Sequence, residues 1–151
     1  MSERTPLVPA ISTSVTGPLG IVHLPRLWLK ILLYSEGRLP EGYRHGEGGF
    51  DERFCTHFGI DREAFVHFIE TEKPDYLETE RWVTAHATNL EPATIAAFNE
   101  AVLAANMRDE MAEERRASLG LTDASLKNAI ALNNLDDWAA THASVTGRSR
   151  G

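Results

Sequence analysis

Two cationic residues, Arg26 and Lys30, stand four positions apart in an otherwise apolar segment, LPRLWLKILLY. Positions i and i+4 of a helix share one face, so we expect the two cations to lie side by side. Guanidinium and ammonium groups bind carboxylates and phosphates, and the pair therefore predicts a clamp for an anion. The alternative is that both stems extend along apolar surface and place their charged ends in water or on acidic partners.

Asp51 follows two glycines and precedes the apolar residues of a predicted helix. A carboxylate in this position commonly caps the helix N-terminus. It could equally face a pocket, either as a general base or as a group that orients Arg26. The sequence leaves both interpretations open.

Residues 37–49 contain five glycines and a proline, which predicts a loop with unusual backbone freedom. Tyr43, Arg44 and His45 lie inside it. Loops of this kind often form the wall or lid of a site, and histidine can transfer protons near neutral pH. The same three residues would also suit an ordinary surface loop.

The candidate site therefore takes its members from residues 23–51. The predicted catalytic residues are Tyr43, His45 and Asp51. The predicted substrate-binding residues are His23, Arg26, Trp28, Lys30 and Arg44.

Composition and motifs argue against several other classes of protein. The formal net charge of −7 argues against nucleic-acid binding, which needs a dense basic surface. The six histidines show no metal-ligand spacing, and the common nucleotide-binding signatures are missing, so we predict no metal and no cofactor. The single cysteine, Cys55, favours a reducing compartment, and no apolar run suits a signal or a membrane span. We therefore predict a cytoplasmic protein.

Helical periodicity runs through the chain between two irregular ends, and it predicts a single all-α domain of six or seven short helices. We expect an N-terminal arm over 1–19, a helical domain over 20–143 and a flexible tail over 144–151. The first helix should span 25–36, with Pro25 at its start and Gly37 after its end. Later helices should begin at Asp51, Asp61, Asp75, Pro92, residue 109 and either Thr122 or Asp123.

Several motifs between Gly20 and Asp61 resemble a family of small bacterial proteins known only as a domain of unknown function. The motifs are Arg26-x-x-x-Lys30, G-x-L-P-x-x-Y over 37–43, Gly49-Phe50-Asp51, and an F-x-G-x-D element at 58–61 that is one residue shorter here. The resemblance can be traced into residues 114–123. It implies a small helical bacterial protein and no particular activity.

One position departs from the family pattern. Many members carry an acidic residue immediately before the matched lysine, where this chain has Leu29. If the acid serves a shared chemistry, this chain has changed it. If the acid only pairs with a neighbouring cation, Leu29 is a change in packing.

Together these patterns favour a cofactor-independent small-molecule enzyme or binding protein with a site for a carboxylate or phosphate. The enzyme classes that fit are isomerase, lyase and cyclase, because each can proceed by proton transfer alone. The alternative is a non-catalytic module that binds another protein through the apolar helix 25–36, and a homodimer also stays open. The direction of the Arg26–Lys30 face separates these functions, since a pocket favours the first and an exposed patch favours the second.

Overall fold

Seven α-helices make up the regular structure of the computed structural model, which describes residues 5–148. No strand forms within that range, so the predicted all-α class is confirmed. The helices are α1 Leu24–Ser35, α2 Gly49–Phe58, α3 Arg62–Glu72, α4 Tyr76–His86, α5 Pro92–Ala104, α6 Asp109–Leu119 and α7 Ala129–Thr146.

Most helix ends lie where the sequence signals placed them. Asp61 caps α3 by accepting a hydrogen bond from the Ala64 amide. Asp75 caps α4, and Glu78 accepts a bond from the Asp75 amide to complete a capping box. Gly59 ends α2 in the left-handed backbone region, which glycine adopts at low cost.

Two predicted starts are wrong. Helix α2 begins at Gly49, two residues before Asp51, so Asp51 lies within the first turn and does not cap it. Helix α7 begins at Ala129 and is capped by Asn128, which accepts a hydrogen bond from the Ala131 amide. Asp123 accepts from the Ser125 amide and hydroxyl and so stabilises a local turn.

The predicted ends of the chain are partly described. Residues 5–19 contain neither helix nor strand, in keeping with an extended arm. Helix α7 continues through Thr146, into the segment predicted as a tail. Residues 1–4 and 149–151 lie outside the described range, and the proposed boundaries at 19 and 143 stay predictions.

The chain forms two compact units, one ending at Val102 and the other beginning at Leu103. In the first unit, α1 packs against α3 and α4, and α2 packs against α3. Its core is rich in aromatic rings. Phe54 contacts Phe58, Phe65 and Phe98, and all four are buried. This rigid base fixes α1 and α2, the two helices that carry the candidate site.

The second unit is built on the packing of α6 against α7. Ala112 of α6 and Leu132 of α7 are both fully buried. Arg115 donates to the Asn133 side chain at 3.1 Å, and Arg116 donates to the Leu126 carbonyl at 2.8 Å.

Candidate functional site

A buried cluster of polar side chains surrounds Asp51, in the first turn of α2. Lys30 Nζ donates to both carboxylate oxygens of Asp51, at 2.8 and 3.0 Å. His23 Nε2 lies 2.7 Å from Oδ1, and the Gly46 amide donates to Oδ2 at 3.0 Å. These four hydrogen bonds fill the lone-pair sites that an ionised carboxylate offers. Asp51 is therefore fully engaged, which suits a group that orients its neighbours.

His23 connects this carboxylate to the N-terminal arm. Its Nε2 faces Asp51, and its Nδ1 lies 3.1 Å from Thr13 Oγ1. His23 is also one of two non-glycine residues with positive φ in the described chain, at φ 73°. This backbone conformation costs a residue with a side chain about 1–3 kcal/mol, and such strain concentrates at functional sites.

The electrostatics of the cluster favour a neutral imidazole beside an ionised carboxylate. Burial lowers the pKa of His23 below its ordinary value, by more than the bond and the charge of Asp51 raise it. Burial alone would raise the pKa of Asp51, but the bond from His23 and the charge of Lys30 outweigh it and hold that pKa below its usual range. Burial also lowers the pKa of Lys30, against the attraction of Asp51.

These protonation states assign the hydrogens of the His23 ring. Since ionised Asp51 can only accept, Nε2 carries the ring hydrogen and donates it to Asp51. Nδ1 of the neutral ring then has its lone pair available, and it accepts from the Thr13 hydroxyl. A histidine whose donor nitrogen is bonded to a carboxylate and whose other nitrogen is an acceptor has the arrangement of a general base.

Arg26 lies in the first turn of α1, three residues after His23, which immediately precedes the helix, and only 6% of its surface is exposed. Its Nη1 donates to the carbonyls of Pro9 and Ile11, each at 2.9 Å. Its guanidinium carbon is 5.9 Å from the centre of the Tyr43 ring, within the range of a cation–π contact.

The glycine-rich loop places its polar side chains around the cluster in three different ways. Tyr43 is half-buried under Arg26. His45 stacks on Tyr34 of α1, with ring centres 3.6 Å apart and planes 8° apart. Arg44 is exposed, and its guanidinium lies against Gly48 and Gly49 at the N-terminus of α2.

Gly46 is the loop residue on which the cluster depends most directly. Its φ of 121° is one that side-chain-bearing residues rarely adopt, and a Cβ there would lie 2.8 Å from Val66 Cγ2. Only glycine therefore lets this amide approach Asp51 without strain.

The structure thus brings together His23, Lys30 and Asp51 from the predicted set, with Arg26 and Tyr43 in contact beside the arm. Trp28 is separate from this cluster in its contacts, because its indole N–H donates to the Pro74 carbonyl and its ring lies edge-on to Tyr76. His45 and Arg44 contact Tyr34 and the helix start instead of Asp51.

Sequence reasoning missed two members of the cluster, Thr13 and Gly46. Thr13 lies in a stretch with no motif, and its 2% exposure follows only from the path of the arm. The sequence marks Gly46 only weakly, because it is one of several glycines in the loop. The need for glycine at this position comes from the nearby Val66 side chain.

Other nucleophilic or metal-binding groups offer less. Cys55 is buried, and burial raises the pKa of its thiol to about 12, so it is a poor thiolate. His57 bonds to the Thr94 carbonyl at 2.8 Å. Within residues 5–148, no three His, Cys, Asp or Glu side chains gather as metal ligands would.

A surface cavity of about 260 Å³ is lined by residues other than those of the Asp51 cluster. Its walls are Pro18, Leu19, Leu77, Glu80, Arg81 and Thr84. Glu80 is already engaged there, since it accepts from the Leu19 amide and from the Tyr76 hydroxyl.

Comparison with known proteins gives a family and no activity. A family model described as "Domain of unknown function (DUF5069)" matches residues 14–139, which includes His23, Lys30 and Asp51. No curated protein matches the chain significantly. Among the described residues, no helix is both long enough and apolar enough to cross a bilayer.

Proposed function

Because the chain belongs to this family of unknown function, whose membership implies no reaction, we propose a function from the site alone. The proposal is a cofactor-independent enzyme that binds a small anionic molecule, a carboxylate or a phosphate, and moves a proton on it. The reaction classes are those predicted from the sequence, isomerase, lyase or cyclase. The buried, unpaired thiol of Cys55 also suits a protein of the cytoplasm.

The observation that carries this proposal is the position of His23 between Asp51 and Thr13. The ring donates to a carboxylate through Nε2 and presents Nδ1 as an acceptor. His23 also has a left-handed backbone, with a φ of 73°, and strain of this kind clusters at functional sites. We therefore assign the base to His23, and give Asp51 the role of orienting it.

The cations supply the anionic specificity. Arg26 and Lys30 are held on one face of α1, as the spacing predicted, and both are nearly buried. Charges act more strongly on a ligand in such a low-dielectric setting than they do at the surface. Arg44, on the exposed loop, would attract the anion before it reaches Arg26.

These groups are sufficient for a simple proton transfer. His23 Nδ1 would take a proton from a carbon next to a carbonyl or carboxylate, the electron pair of that C–H bond would form a C=C bond, and the π pair of the carbonyl would move onto its oxygen. Arg26 and Lys30 would stabilise the resulting negative charge. Return of the proton from His23 to another carbon gives an isomer. If the carbonyl re-forms instead, a new C=C bond expels a leaving group from the next carbon, which takes the proton from His23, and this gives a lyase product.

The alternative function is a protein-binding module built on helix 25–36, and the burial of this helix supports it less well than the enzyme. Most of α1 is buried, and its apolar residues Leu24, Leu27 and Ile31 are fully or almost fully covered. Among its large apolar residues Tyr34 is exposed, at 49%, and its ring stacks on His45. A partner or a second copy would find little apolar surface on this helix.

A thermal-shift screen tests the proposal. Wild type is unfolded in the presence of carboxylates, phosphates and neutral sugars, and a ligand at 100 times its dissociation constant adds about 2.7 kcal/mol. We expect one anionic class to raise the melting temperature, and Arg44→Gln to weaken that shift without changing the melting temperature of the free protein. Arg108→Gln, at an exposed arginine of the second unit, is the matched control. An anion shift that is the same in wild type, Arg44→Gln and Lys30→Met, or no shift with any anion, would contradict the proposal.

A further inference from the structure

Residues 9–13 of the arm, which we call the strap, engage two functional groups of the candidate site. The carbonyls of Pro9 and Ile11 accept from Arg26, and the Thr13 hydroxyl lies on His23 Nδ1. The Thr13 carbonyl also accepts from the His23 amide at 2.8 Å. The strap therefore occupies Arg26 and His23, the cation and the base that would contact the ligand in the proposed function.

The strap is attached both by hydrogen bonds and by packing, since Pro9 and Thr13 are buried and Ile11 is half-buried. It has no helix or strand of its own, and the Ile11 amide bonds locally to the Pro9 carbonyl. Just before it, Leu7 is 47% exposed, although its amide donates to the Arg38 carbonyl. Arg38 also donates to the Thr5 carbonyl at 3.0 Å. A segment without helix or strand, in which an exposed residue such as Ala10 lies between buried or half-buried ones, opens at lower free energy than the helical core does.

The chemical groups that the strap places on Arg26 and His23 indicate which groups a ligand would need in order to replace the strap. Arg26 donates from a single nitrogen to two carbonyl oxygens, and an oxygen of a ligand carboxylate or phosphate could accept in place of either one. His23 Nδ1 holds one hydroxyl hydrogen, which a ligand hydroxyl could supply. Ile11 and Thr13 are only two residues apart in the strap and contact Arg26 and His23 respectively, so the two side chains lie close enough for one small molecule to reach both.

We infer that the strap is an internal substitute for the ligand, and that the ligand is a small hydroxylated anion. Its hydroxyl takes the place of Thr13 Oγ1 on His23, and its anionic group accepts from Arg26 once the Pro9 and Ile11 carbonyls have left. The inference rests on the proposed function and adds to it a substrate class and a gate. Binding therefore requires the strap to leave.

Matched ligands and exchange measurements test this inference on the full chain. Malate is compared with succinate, and glycerol 3-phosphate with propyl phosphate, so that each pair differs in hydroxyl groups and the two pairs separate carboxylate from phosphate. Affinity is measured by calorimetry. Hydrogen exchange of peptides from residues 7–23 is followed by mass spectrometry with and without each ligand.

Two variants loosen the strap at different points. Thr13→Val removes the competing hydroxyl and keeps the side-chain shape, so a hydroxylated anion should bind about tenfold more tightly. Arg38→Ala releases the outer end of the arm at a residue outside the cluster, and it should also strengthen binding. Arg108→Ala is the control, since that exposed arginine lies in the other unit.

The outcomes separate the inference from the proposed function. Preference for the hydroxylated member of a pair, with about tenfold faster exchange of the strap on binding, supports the inference. Equal binding within both pairs, slower exchange of the strap, or weaker binding by Thr13→Val overturns the inference and leaves the anion site standing. No binding of any anion by wild type, Thr13→Val or Arg38→Ala overturns the proposed function, and the inference with it.

Discussion

Lys30 Nζ donates to both oxygens of Asp51, at 2.8 and 3.0 Å, although the two residues lie on different helices and both side chains are nearly removed from water. Each charge depends on the other, because an isolated charge in a protein interior is strongly unfavourable. The ion pair links α1 to α2. It also orients His23, because Lys30 and His23 both bond to Oδ1 of Asp51.

Breaking the pair from either side should be costly. Lys30→Met keeps most of the apolar stem and leaves Asp51 buried without its cation, so we expect a loss of about 3–5 kcal/mol in the free energy of unfolding. Asp51→Leu should cost a similar amount, because it leaves Lys30 unpaired. Urea unfolding followed by circular dichroism measures both variants.

The control for this prediction is Lys73→Met, at a lysine whose ion pair with Glu36 and hydrogen bonds to Ser35 are partly open to solvent. It should cost about 1 kcal/mol or less. The double variant Lys30→Met with Asp51→Leu should lose much less than the sum of the two single variants. Additive losses would show that the two residues stabilise the protein independently, and would contradict their mutual dependence.

His23 should make stability depend on pH just below neutrality. The unfolded histidine binds a proton near its ordinary pKa of 6.5, whereas burial lowers the pKa of the native one. As pH falls below 6.5, the unfolded state therefore takes up a proton that the native state does not, and the free energy of unfolding decreases. The stabilisation is fully present above pH 6.5.

The difference between wild type and His23→Asn isolates this effect, because the other titrating groups cancel. Asparagine also tolerates a left-handed backbone. Between pH 7.0 and 5.5, wild type should lose more stability than His23→Asn, by up to about 1.4 kcal/mol per pH unit. His86→Asn, at an exposed histidine, is the matched control for the substitution itself. Equal slopes in wild type and His23→Asn would be incompatible with a buried neutral His23.

Two glycines of the same loop form a matched pair for testing the support of Asp51. Gly46 and Gly42 both have positive φ, but a Cβ meets Val66 at Gly46 and meets nothing within 4 Å at Gly42. Gly46→Ala should therefore destabilise the protein by roughly 1–3 kcal/mol more than Gly42→Ala does, through the close contact and the displaced amide bond to Asp51. Thermal and urea unfolding measure both. Equal losses would mean that the Gly46 amide contributes nothing specific.

Cys55 should be almost unreactive in the folded protein. The residue is 3% exposed, and burial raises the pKa of its thiol to about 12. At pH 8 the folded protein should react with a disulfide reagent on the order of 10³-fold more slowly than the protein in urea. Absorbance of the released thiolate gives both rates, and rapid reaction without urea would contradict the buried position.

Local signals in the sequence predicted much of the fold. Asp61, Asp75 and Pro92 marked helix starts because capping and proline geometry depend on a few neighbouring residues. The start of α7 was missed because Asp123 satisfies a turn with Ser125, and the residue that caps the helix is Asn128. Both aspartate and asparagine serve turns and caps, so composition alone does not separate these uses.

The candidate site was predictable only in its parts. Helical spacing placed Arg26 and Lys30 on one face, since that needs only the period of the helix. The partnership of Lys30 with Asp51 joins positions 21 residues apart and depends on how α1 and α2 pack on the aromatic core. The contact of Thr13 with His23 depends further on the path of an arm without regular structure, for which the sequence offers no period.

The protonation state of the His23 ring, measured by nitrogen NMR on protein labelled at histidine, decides whether this residue can be the base. We predict that at pH 7 Nε2 carries the hydrogen while Nδ1 is unprotonated, and that a bound anion changes the Nδ1 shift. His23→Asn assigns the signals. A ring protonated on both nitrogens at pH 7, or an Nδ1 shift that stays constant at saturation with a binding anion, would contradict the assignment of His23 as the base of this site.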